Sequence, residues 1–234
     1  SCPICNHGKN TDTTDFGLYT TNSNELHPFH LLSTSHLYLR ERRFDPKYIN
    51  ITTHRSEYVY QELGDGLYKR RRLRRRPGTV AVAAAIQQRY GITVVPHMLC
   101  SGFTREDTEY VLLDLQFLGI TDVLVLRGDK ARHESAFVPE PGGNAHAIEL
   151  EEQINDFNRG IFVDGSPIRA PHTPFSYGVA CYPEKHEESP NAEQDLLWLK
   201  RKVETGADYA VTQLFFDNQK YIDDLNFDIT NLRI

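Results

Sequence analysis

The residues best suited to chemistry stand directly after apolar, strand-like runs. The run VLVL is followed by Arg127, Gly128 and Asp129, which offer a cation, a turn that lets the backbone approach a ligand, and a carboxylate. Further along, Tyr182 provides a stacking surface and His186 a titratable imidazole, with a lysine between them that suits an anion. Together these residues predict a site for a charged ligand, although a loop salt bridge would also explain the Arg-Gly-Asp triplet alone.

Other polar residues occupy similar positions. Thr52 and Thr53 follow the run KYINI, His97 follows ITVVP, and Gln213 interrupts the apolar run VTQLFF. A polar group within an apolar strand needs a hydrogen-bond partner, which can be protein or ligand. His97 is therefore open to two interpretations, a hydrogen-bonded core residue or a residue of the site.

A repeated strand–helix pattern must position these residues. The strand-like runs cover residues 47–53, 92–99, 122–129, 176–186 and 209–216, and helix-like stretches separate them. Strands that alternate with helices at this spacing indicate βα units on a parallel sheet. In a β/α barrel the carboxyl ends of all strands meet at one mouth, where the site residues would share a cavity. The sequence predicts an α/β fold of the (β/α)8 TIM-barrel type, incomplete with about five parallel strands.

The helices have recognisable ends. One is predicted over residues 79–90, and another begins at Thr104, where Asp107 completes a variant capping box. A third follows Asn144, and a fourth occupies residues 191–206 with a glycine at its end. These positions place helices between consecutive strands.

Composition narrows the function classes. The chain has 234 residues, 39% hydrophobic and 25% charged, as in an ordinary globular domain. A net charge of -6 argues against generic nucleic-acid binding. No apolar run approaches the ~20 residues of a membrane span. The first fifteen residues lack the apolar core of a signal peptide, so we expect a cytoplasmic protein without membrane contact.

The cysteines do not predict a metal centre. Cys2 and Cys5, with nearby His7, have the spacing of the first half of a zinc site, but no second half follows. Cys100 and Cys181 lie at predicted strand ends and are expected to be reduced. We expect no bound metal.

Six segments resemble the methylenetetrahydrofolate reductase family in order and spacing. They are PKYINITTHR, VVPHMLC, ITDVLVLRGD, VACYPEKH, DLLWLKRKVETGADY and VTQLFFD. The resemblance extends over about residues 44–221 and implies a β/α barrel that holds FAD at its mouth. It also implies that NADH or NADPH reduces the flavin, which then reduces 5,10-methylenetetrahydrofolate to 5-methyltetrahydrofolate in one-carbon metabolism and methionine synthesis.

The resemblance also implies individual roles. Asp129 is the catalytic candidate because it matches a residue that faces both flavin and folate, and Gln213 matches a folate-binding glutamine. The cofactor-binding residues implied are Thr52, His97, Arg127, Gly128, Asp129, Ala147, Tyr182, His186, Asp195 and Lys202.

Three departures from the family pattern modify this expectation. The family's first strand, roughly FSFEFFPP with the proposed acid, has no counterpart in residues 1–43, where Glu25 is the nearest carboxylate to a proline but has a different sequence context. Two later strands with a PGILP-like segment are absent, and His146 stands where a tyrosine is expected. We therefore expect an unassigned segment at 1–43, a partial barrel at 44–222 and a tail at 223–234. A frameshifted or truncated copy with weak flavin binding and little folate reduction fits this pattern.

Two other functions stay open at this point. A non-catalytic β/α domain would also have polar strand ends that only satisfy one another. Residues 69–76 contain seven basic residues in eight, which can bind nucleic acid, but no aromatic platform or recognition helix accompanies them in the sequence. A solvated loop face is the interpretation we favour, and attraction of an anionic cofactor or a polyglutamylated folate is a further one. A homo-oligomer is compatible with all three functions.

Overall fold

The structure, a computed structural model, describes residues 46–73, 77–130 and 134–222. The segments predicted as an N-terminal region (1–43) and a C-terminal tail (223–234) lie outside the described residues. Cys2, Cys5, His7 and Glu25 lie there too. The predicted domain boundaries therefore stay predictions.

The described residues form seven strands and four helices. The strands are β1 (Tyr48–Ile51), β2 (Glu57–Gly64), β3 (Leu67–Leu73), β4 (Thr93–Leu99), β5 (Asp122–Leu126), β6 (Ser176–Cys181) and β7 (Tyr209–Thr212). The helices are α1 (Thr79–Tyr90), α2 (Arg105–Phe117), α3 (Ala147–Asn158) and α4 (Ala192–Thr205). All five strands and all four helices of the sequence prediction are present, each within a few residues of its expected bounds.

The chain divides into two compact units, of which the first contains residues up to 54 together with 76–96. Here β1 pairs in parallel with the first half of β4, from Tyr48 opposite Thr93 to Ile51 opposite Pro96. Helix α1 ends at Gly91, whose left-handed φ of 67° lets its N–H donate to the carbonyl of Gln87. The glycine stop predicted from sequence is confirmed.

The second unit contains residues 55–75 and 97 onwards. The second half of β4 pairs with β5, β5 with β6, and β6 with β7, all in parallel. Val123, Val125 and Val179 are buried in these strands, and Leu112 and Leu150 are buried on helices α2 and α3. Strands this apolar on both faces are typical of a parallel sheet with helices over it.

The pairings therefore run β1–β4–β5–β6–β7, in parallel and with sequential order along the parallel strands. The fold is α/β, of an incomplete (β/α)8 type, as the sequence predicted. Helix α2 also confirms its predicted start, since Asp107 N–H donates to Thr104 Oγ1 while the Asp107 carboxylate accepts from Thr104 N–H.

One segment differs from expectation. Strands β2 and β3 pair antiparallel in a hairpin, where a solvated loop was expected. The turn Gly64-Asp65-Gly66 has positive φ at all three residues, which glycine and aspartate tolerate better than other residue types. The sequence EYVYQEL supplies β-forming aromatic and β-branched residues, but the four consecutive basic residues 69–72 leave β3 without an apolar alternation.

Candidate functional site

The carboxyl ends of β4 and β5 form the first part of the site. Ser101 N–H donates to the carbonyl of Arg127 at 2.9 Å, and Ser101 Oγ donates to the carbonyl of Asp129 at 3.0 Å. Between them Gly128 has a φ of 82°, and a Cβ there would lie 2.8 Å from Ser101 Cβ. Position 128 therefore requires glycine for two reasons: the backbone has a left-handed conformation, and Ser101 leaves no room for a Cβ.

Arg127 is anchored from two sides. Its guanidinium forms a bidentate pair with Glu188, at 2.6 and 2.9 Å, and lies 4.9 Å from the ring centroid of Phe137. These hydrogen bonds, donated by Arg127 and accepted by Glu188, raise the pKa of Arg127 and lower the pKa of Glu188. The arginine therefore keeps its charge and a fixed orientation at the end of β5.

The loop after β6 brings an aromatic ring and an imidazole together. The rings of Tyr182 and His186 meet edge to face, with centroids 4.6 Å apart. Burial raises the pKa of the Tyr182 hydroxyl, and the negative charges of Asp129 and Asp195 add to this effect. Tyr182 is therefore a neutral hydroxyl at physiological pH with carboxylates close by.

Asp195, in the first turn of α4, holds this loop in place. Its two carboxylate oxygens accept from His186 N–H at 3.0 Å and from Ser189 Oγ at 2.7 Å. A second loop contact comes from Glu184, whose Oε1 accepts from the N–H groups of Phe216 and Asp217, both at 3.1 Å. The loop after β6 is thus tied both to α4 and to the segment after β7.

Lys202, two turns further along α4, points an ammonium group into the cavity between α4 and strands β6 and β7. Its Nζ donates to the carbonyl of Ala180 at 2.9 Å. Burial lowers the pKa of Lys202, while the nearby Glu151 and Asp195 oppose that shift. An ammonium has three donors, so two remain for an anionic ligand.

The cavity has a volume of about 160 Å³ and is lined by polar and apolar side chains together. Its lining includes Tyr182, Asp195 and Lys202, three of the predicted cofactor-binding residues, and also Cys181, Leu199 and Thr212. Since sites for drug-sized ligands typically measure ~300–1,000 Å³, this cavity can hold only part of a large ligand.

The remaining predicted residues have different surroundings. Ala147 is buried at the start of α3, next to His146, whose carbonyl accepts from Cys100 Sγ at 3.4 Å. His97 is half-buried in β4 opposite Leu124 of β5. Gln213 is exposed directly after β7, where its N–H donates to Cys181 O and its own Oε1 accepts from the N–H of Leu214.

The structure therefore brings most of the predicted residues of the second unit to consecutive strand ends or to α4. Thr52 is half-buried directly after β1 in the first compact unit and is described with that unit alone. The assigned roles of all these residues stay predictions.

Two groups escaped the sequence analysis. Glu188 was missed because only the fold shows that it pairs with Arg127. The second group lines an open cleft between α3 and α4, where the rings of His146 and Trp198 are stacked at 6.2 Å and Arg201 lies 4.9 Å from the indole centroid. Its signal in the sequence is the single tryptophan of the chain, followed three residues later by an arginine beside Lys202.

A buried carboxylate lies behind the cavity. Glu151 of α3 is fully buried, and neither of its oxygens has a hydrogen-bond partner among the described residues. Burial raises its pKa to about 8, although the positive charge of Lys202 works against that rise. The raised pKa favours the protonated form of Glu151 near pH 7.

Within the ranges that the structure describes, no group of three or more His, Cys, Asp or Glu side chains is arranged to hold a metal ion. None of the described helices combines the length and the apolar character needed to cross a bilayer. The expected cytoplasmic location and oligomeric state stay predictions.

Parallel βα units place an anchored arginine and a glycine turn at the end of β5, and helix α4 adds a buried lysine, so the chain is an α/β protein with fixed positive charges beside its parallel strands. A model of the family described as methylenetetrahydrofolate reductase matches residues 30–228. The chain belongs to this family. The match begins at residue 30, earlier than the start near 44 that the six segments indicated.

Individual relatives agree with the family. The chain is 30% identical to the 5,10-methylenetetrahydrofolate reductase of Pectobacterium carotovorum and 32% identical to that of Salmonella typhimurium, each over 152 residues. It is 33% identical to methylenetetrahydrofolate reductase (NADH) 1 of Arabidopsis thaliana over 152 residues. Each alignment covers 63% of this chain, but 42%, 43% and 24% of the respective relatives. The chain thus spans less than half the length of the relatives it matches.

Proposed function

We propose that the chain binds FAD and acts as an oxidoreductase that reduces 5,10-methylenetetrahydrofolate to 5-methyltetrahydrofolate with NADH or NADPH. The support is family membership together with the arrangement at the strand ends. The names of the relatives include methylenetetrahydrofolate, and that of the Arabidopsis relative specifies NADH.

One observation carries the cofactor assignment. Lys202 holds a desolvated ammonium at a cavity that also contains Tyr182 and Asp195. The Ala180 carbonyl and the nearby acidic groups offset only part of the cost of burying this cation, and a phosphate oxygen would restore more of the solvation that burial removes. A diphosphate-bearing cofactor with a polar ribityl chain fits this donor set, since Asp195 can accept from hydroxyl groups.

The other strand ends fit the rest of such a ligand. We propose that the peptide groups of the left-handed turn at Gly128, whose Cβ position is taken up by Ser101 and Leu99, contact the ring system of the ligand. Tyr182 and His97 offer ring surfaces or donors on the neighbouring strands. We propose Asp129 and Gln213 as the residues that bind the pterin of folate, because a carboxylate and an amide match the donors and acceptors of its ring edge.

The open cleft at Trp198 is separate from the cavity at Lys202 and has no lining residue in common with it. A cavity of about 160 Å³ is too small for a whole dinucleotide. Trp198 and Arg201 lie on the same helix as Lys202 and offer a stacking surface and a second cation. We assign the adenosine end of the cofactor to this cleft.

Bound flavin supplies the hydride acceptor and donor for the two half-reactions, while the protein binds the flavin and the substrate, orients them and shields them from water. Lys202 and Arg127 supply positive charge for the anionic parts of the ligands. Asp129 is our catalytic candidate because it is an exposed carboxylate at the centre of the predicted folate site.

Flavin titration of two lysine variants tests the cofactor assignment. Lys202→Met keeps the length of the side chain and removes its charge, and loss of a charge-assisted hydrogen bond (~1.5–3 kcal/mol) corresponds to roughly a tenfold to hundredfold weaker FAD binding. Lys200→Met is the matched control, since Lys200 lies on the same helix and pairs with Glu204 at 3.8 Å. Equal FAD affinities of Lys202→Met and the unaltered chain would refute the proposed site.

The two half-reactions are measured separately on the FAD-saturated chain. Flavin reduction by NADH or NADPH is followed at the flavin absorbance, and flavin reoxidation is followed with methylenetetrahydrofolate. We expect the first to exceed the second strongly, because positioned acid catalysis contributes ~10²–10⁴-fold and no family glutamate was found in residues 1–43. Equally efficient half-reactions would show that another group, such as Glu25, provides the acid.

A further inference from the structure

The hairpin of β2 and β3 exposes large apolar side chains around its turn. Tyr60, Leu63, Leu67 and Tyr68 are 63%, 60%, 64% and 61% exposed. A two-stranded sheet is marginally stable by itself in water, and apolar side chains clustered on an exposed surface commonly mark an interface. The hairpin therefore has the character of an arm that another surface covers.

The base of this hairpin is held in a defined orientation. Tyr58 OH donates to Glu140 Oε1 at 3.1 Å, and Arg55 pairs with Glu134 at 3.5 Å. The guanidinium of Arg70 lies 4.3 Å from the centroid of the Tyr58 ring. The arm is thus anchored at its base and presents its outer part to solvent.

The charge of the hairpin is opposite to that of the rest of the chain. Residues 56–76 contain seven Lys or Arg and three Asp or Glu, a net charge of +4. Since the whole chain has a net charge of -6, the remainder has a net charge of -10. A surface that complements the hairpin is present on the chain itself.

Helix α2 carries the best match. Its buried face contains Leu112 and Leu115, but a second stripe on its solvent side consists of Glu106, Tyr110, Leu113 and Phe117 at positions i, i+4, i+7 and i+11. Phe117 is 91% exposed and Tyr110 63% exposed. The helix contains four acidic residues and one basic residue.

We propose that the hairpin of one copy docks on the outer face of α2 of a second copy. Tyr60, Leu67 and Tyr68 would cover Tyr110 and Phe117, while Lys69, Arg70 and Arg71 face Glu106 and Asp114. Tyr and Arg are enriched in interfaces, and opposite potentials fix the register of two surfaces. In a two-fold dimer each copy gives one hairpin and accepts one, so both contacts form at once.

Nucleic acid is the rival occupant of a basic hairpin. It would leave Leu63 and Leu67 without an apolar partner and would bring a polyanion close to a chain whose remaining net charge is -10. A second copy accounts for both the charges and the apolar side chains of the two surfaces.

Charge-reversal variants of the full chain test the proposal. Sedimentation velocity measures whether each variant, or a mixture of two, forms a dimer. One variant reverses the hairpin (Lys69→Glu, Arg70→Glu and Arg71→Glu), and another reverses the helix (Glu106→Lys and Asp114→Lys). Each alone juxtaposes like charges and should dissociate at least tenfold more readily than the unaltered dimer. An equimolar mixture should form a one-to-one dimer, because both hairpin–helix contacts then regain opposite charges.

Glu152→Lys is the control, because it changes the charge of an exposed residue on α3 and should leave the dimer intact. Circular dichroism confirms that each variant is folded, and Phe117→Ser repeats the test without a charge change. A monomer at every attainable concentration overturns the proposal, as do dimers insensitive to both reversals or a mixture that fails to associate. A monomer whose hairpin binds single-stranded DNA or RNA would assign the hairpin to nucleic acid instead.

Discussion

Arg127 and Arg71 carry the same guanidinium group in two different settings. Arg127 at the end of β5 has a bidentate carboxylate partner, an aromatic ring beneath it, and a side chain that is 24% exposed. Arg71 on the hairpin is exposed, and its hydrogen bond to Gln61 Oε1 is long at 3.4 Å. The first is oriented before any ligand arrives, whereas the second acts chiefly through its charge.

This difference indicates at which positions a single substitution should have a large effect on binding or stability. Fixed groups at the strand ends depend on exact neighbours, so one altered atom disturbs several contacts. Charges on the hairpin act together, and the loss of one is partly compensated by the others. The following variants test this contrast, from the largest expected effect to the smallest.

Glu151→Gln should alter stability most, because it removes a buried carboxyl whose pKa is raised from 4.5 to about 8. The folded state keeps a proton that the unfolded state releases above pH 4.5, so the free energy of unfolding should fall as the pH rises towards 8 and level off beyond it. Glu151→Gln should abolish most of this decline, making the variant several kcal/mol more stable at pH 8 and similar near pH 5. Urea unfolding between pH 5 and 9 measures it, with exposed Glu152→Gln as the control. Parallel pH profiles for Glu151→Gln and the unaltered chain would contradict the buried, protonated carboxyl.

Gly128→Ala should lower the free energy of unfolding by about 3 kcal/mol, since it adds left-handed strain to a close contact. The new Cβ would lie 2.8 Å from Ser101 Cβ at a φ of 82°. Gly119→Ala is matched in backbone, with a φ of 69°, but nothing lies within 4 Å of its Cβ, so only about 1 kcal/mol of strain is expected. Urea denaturation compares the two. Equal losses would mean that the Ser101 contact has no energetic weight.

Arg127→Ala and Arg71→Ala compare the two settings directly. Removing the anchored arginine should weaken FAD binding by ~1.5–3 kcal/mol if it contacts the cofactor, whereas removing the hairpin arginine should change the affinity less than about twofold. Quenching of flavin fluorescence gives both dissociation constants in one buffer. If both variants weakened FAD binding to a similar extent, the hairpin would lie next to the cofactor.

Local signals in the sequence were sufficient to predict the helices and the parallel strands. The Thr104–Asp107 capping box and the Gly91 stop act within a few residues, so they could be found without the fold. The ion pair of Arg127 and Glu188 joins residues 61 apart, and the exposure of two adjacent carboxylates on α3, Glu151 and Glu152, differs only because of packing. Partners of that kind depend on tertiary structure and could not be predicted from spacing.

The prediction for the hairpin segment was wrong for a different reason. In β3 the basic residues occupy both faces, so no apolar alternation distinguishes a strand from a charged loop. Strand β2 and the Gly-Asp-Gly turn did indicate a hairpin. The charge of the basic run nevertheless favoured the prediction of a solvated loop.

Glu184 joins two parts of the site mechanically. A single carboxylate oxygen accepts from the consecutive N–H groups of Phe216 and Asp217, while the same loop carries Tyr182 at the cavity. A ligand that displaces the loop after β6 must therefore stretch these bonds or pull the backbone beyond Gln213 with it. The loop that carries Tyr182 and the backbone that follows Gln213 are therefore expected to move together, so these two parts of the predicted site are mechanically coupled.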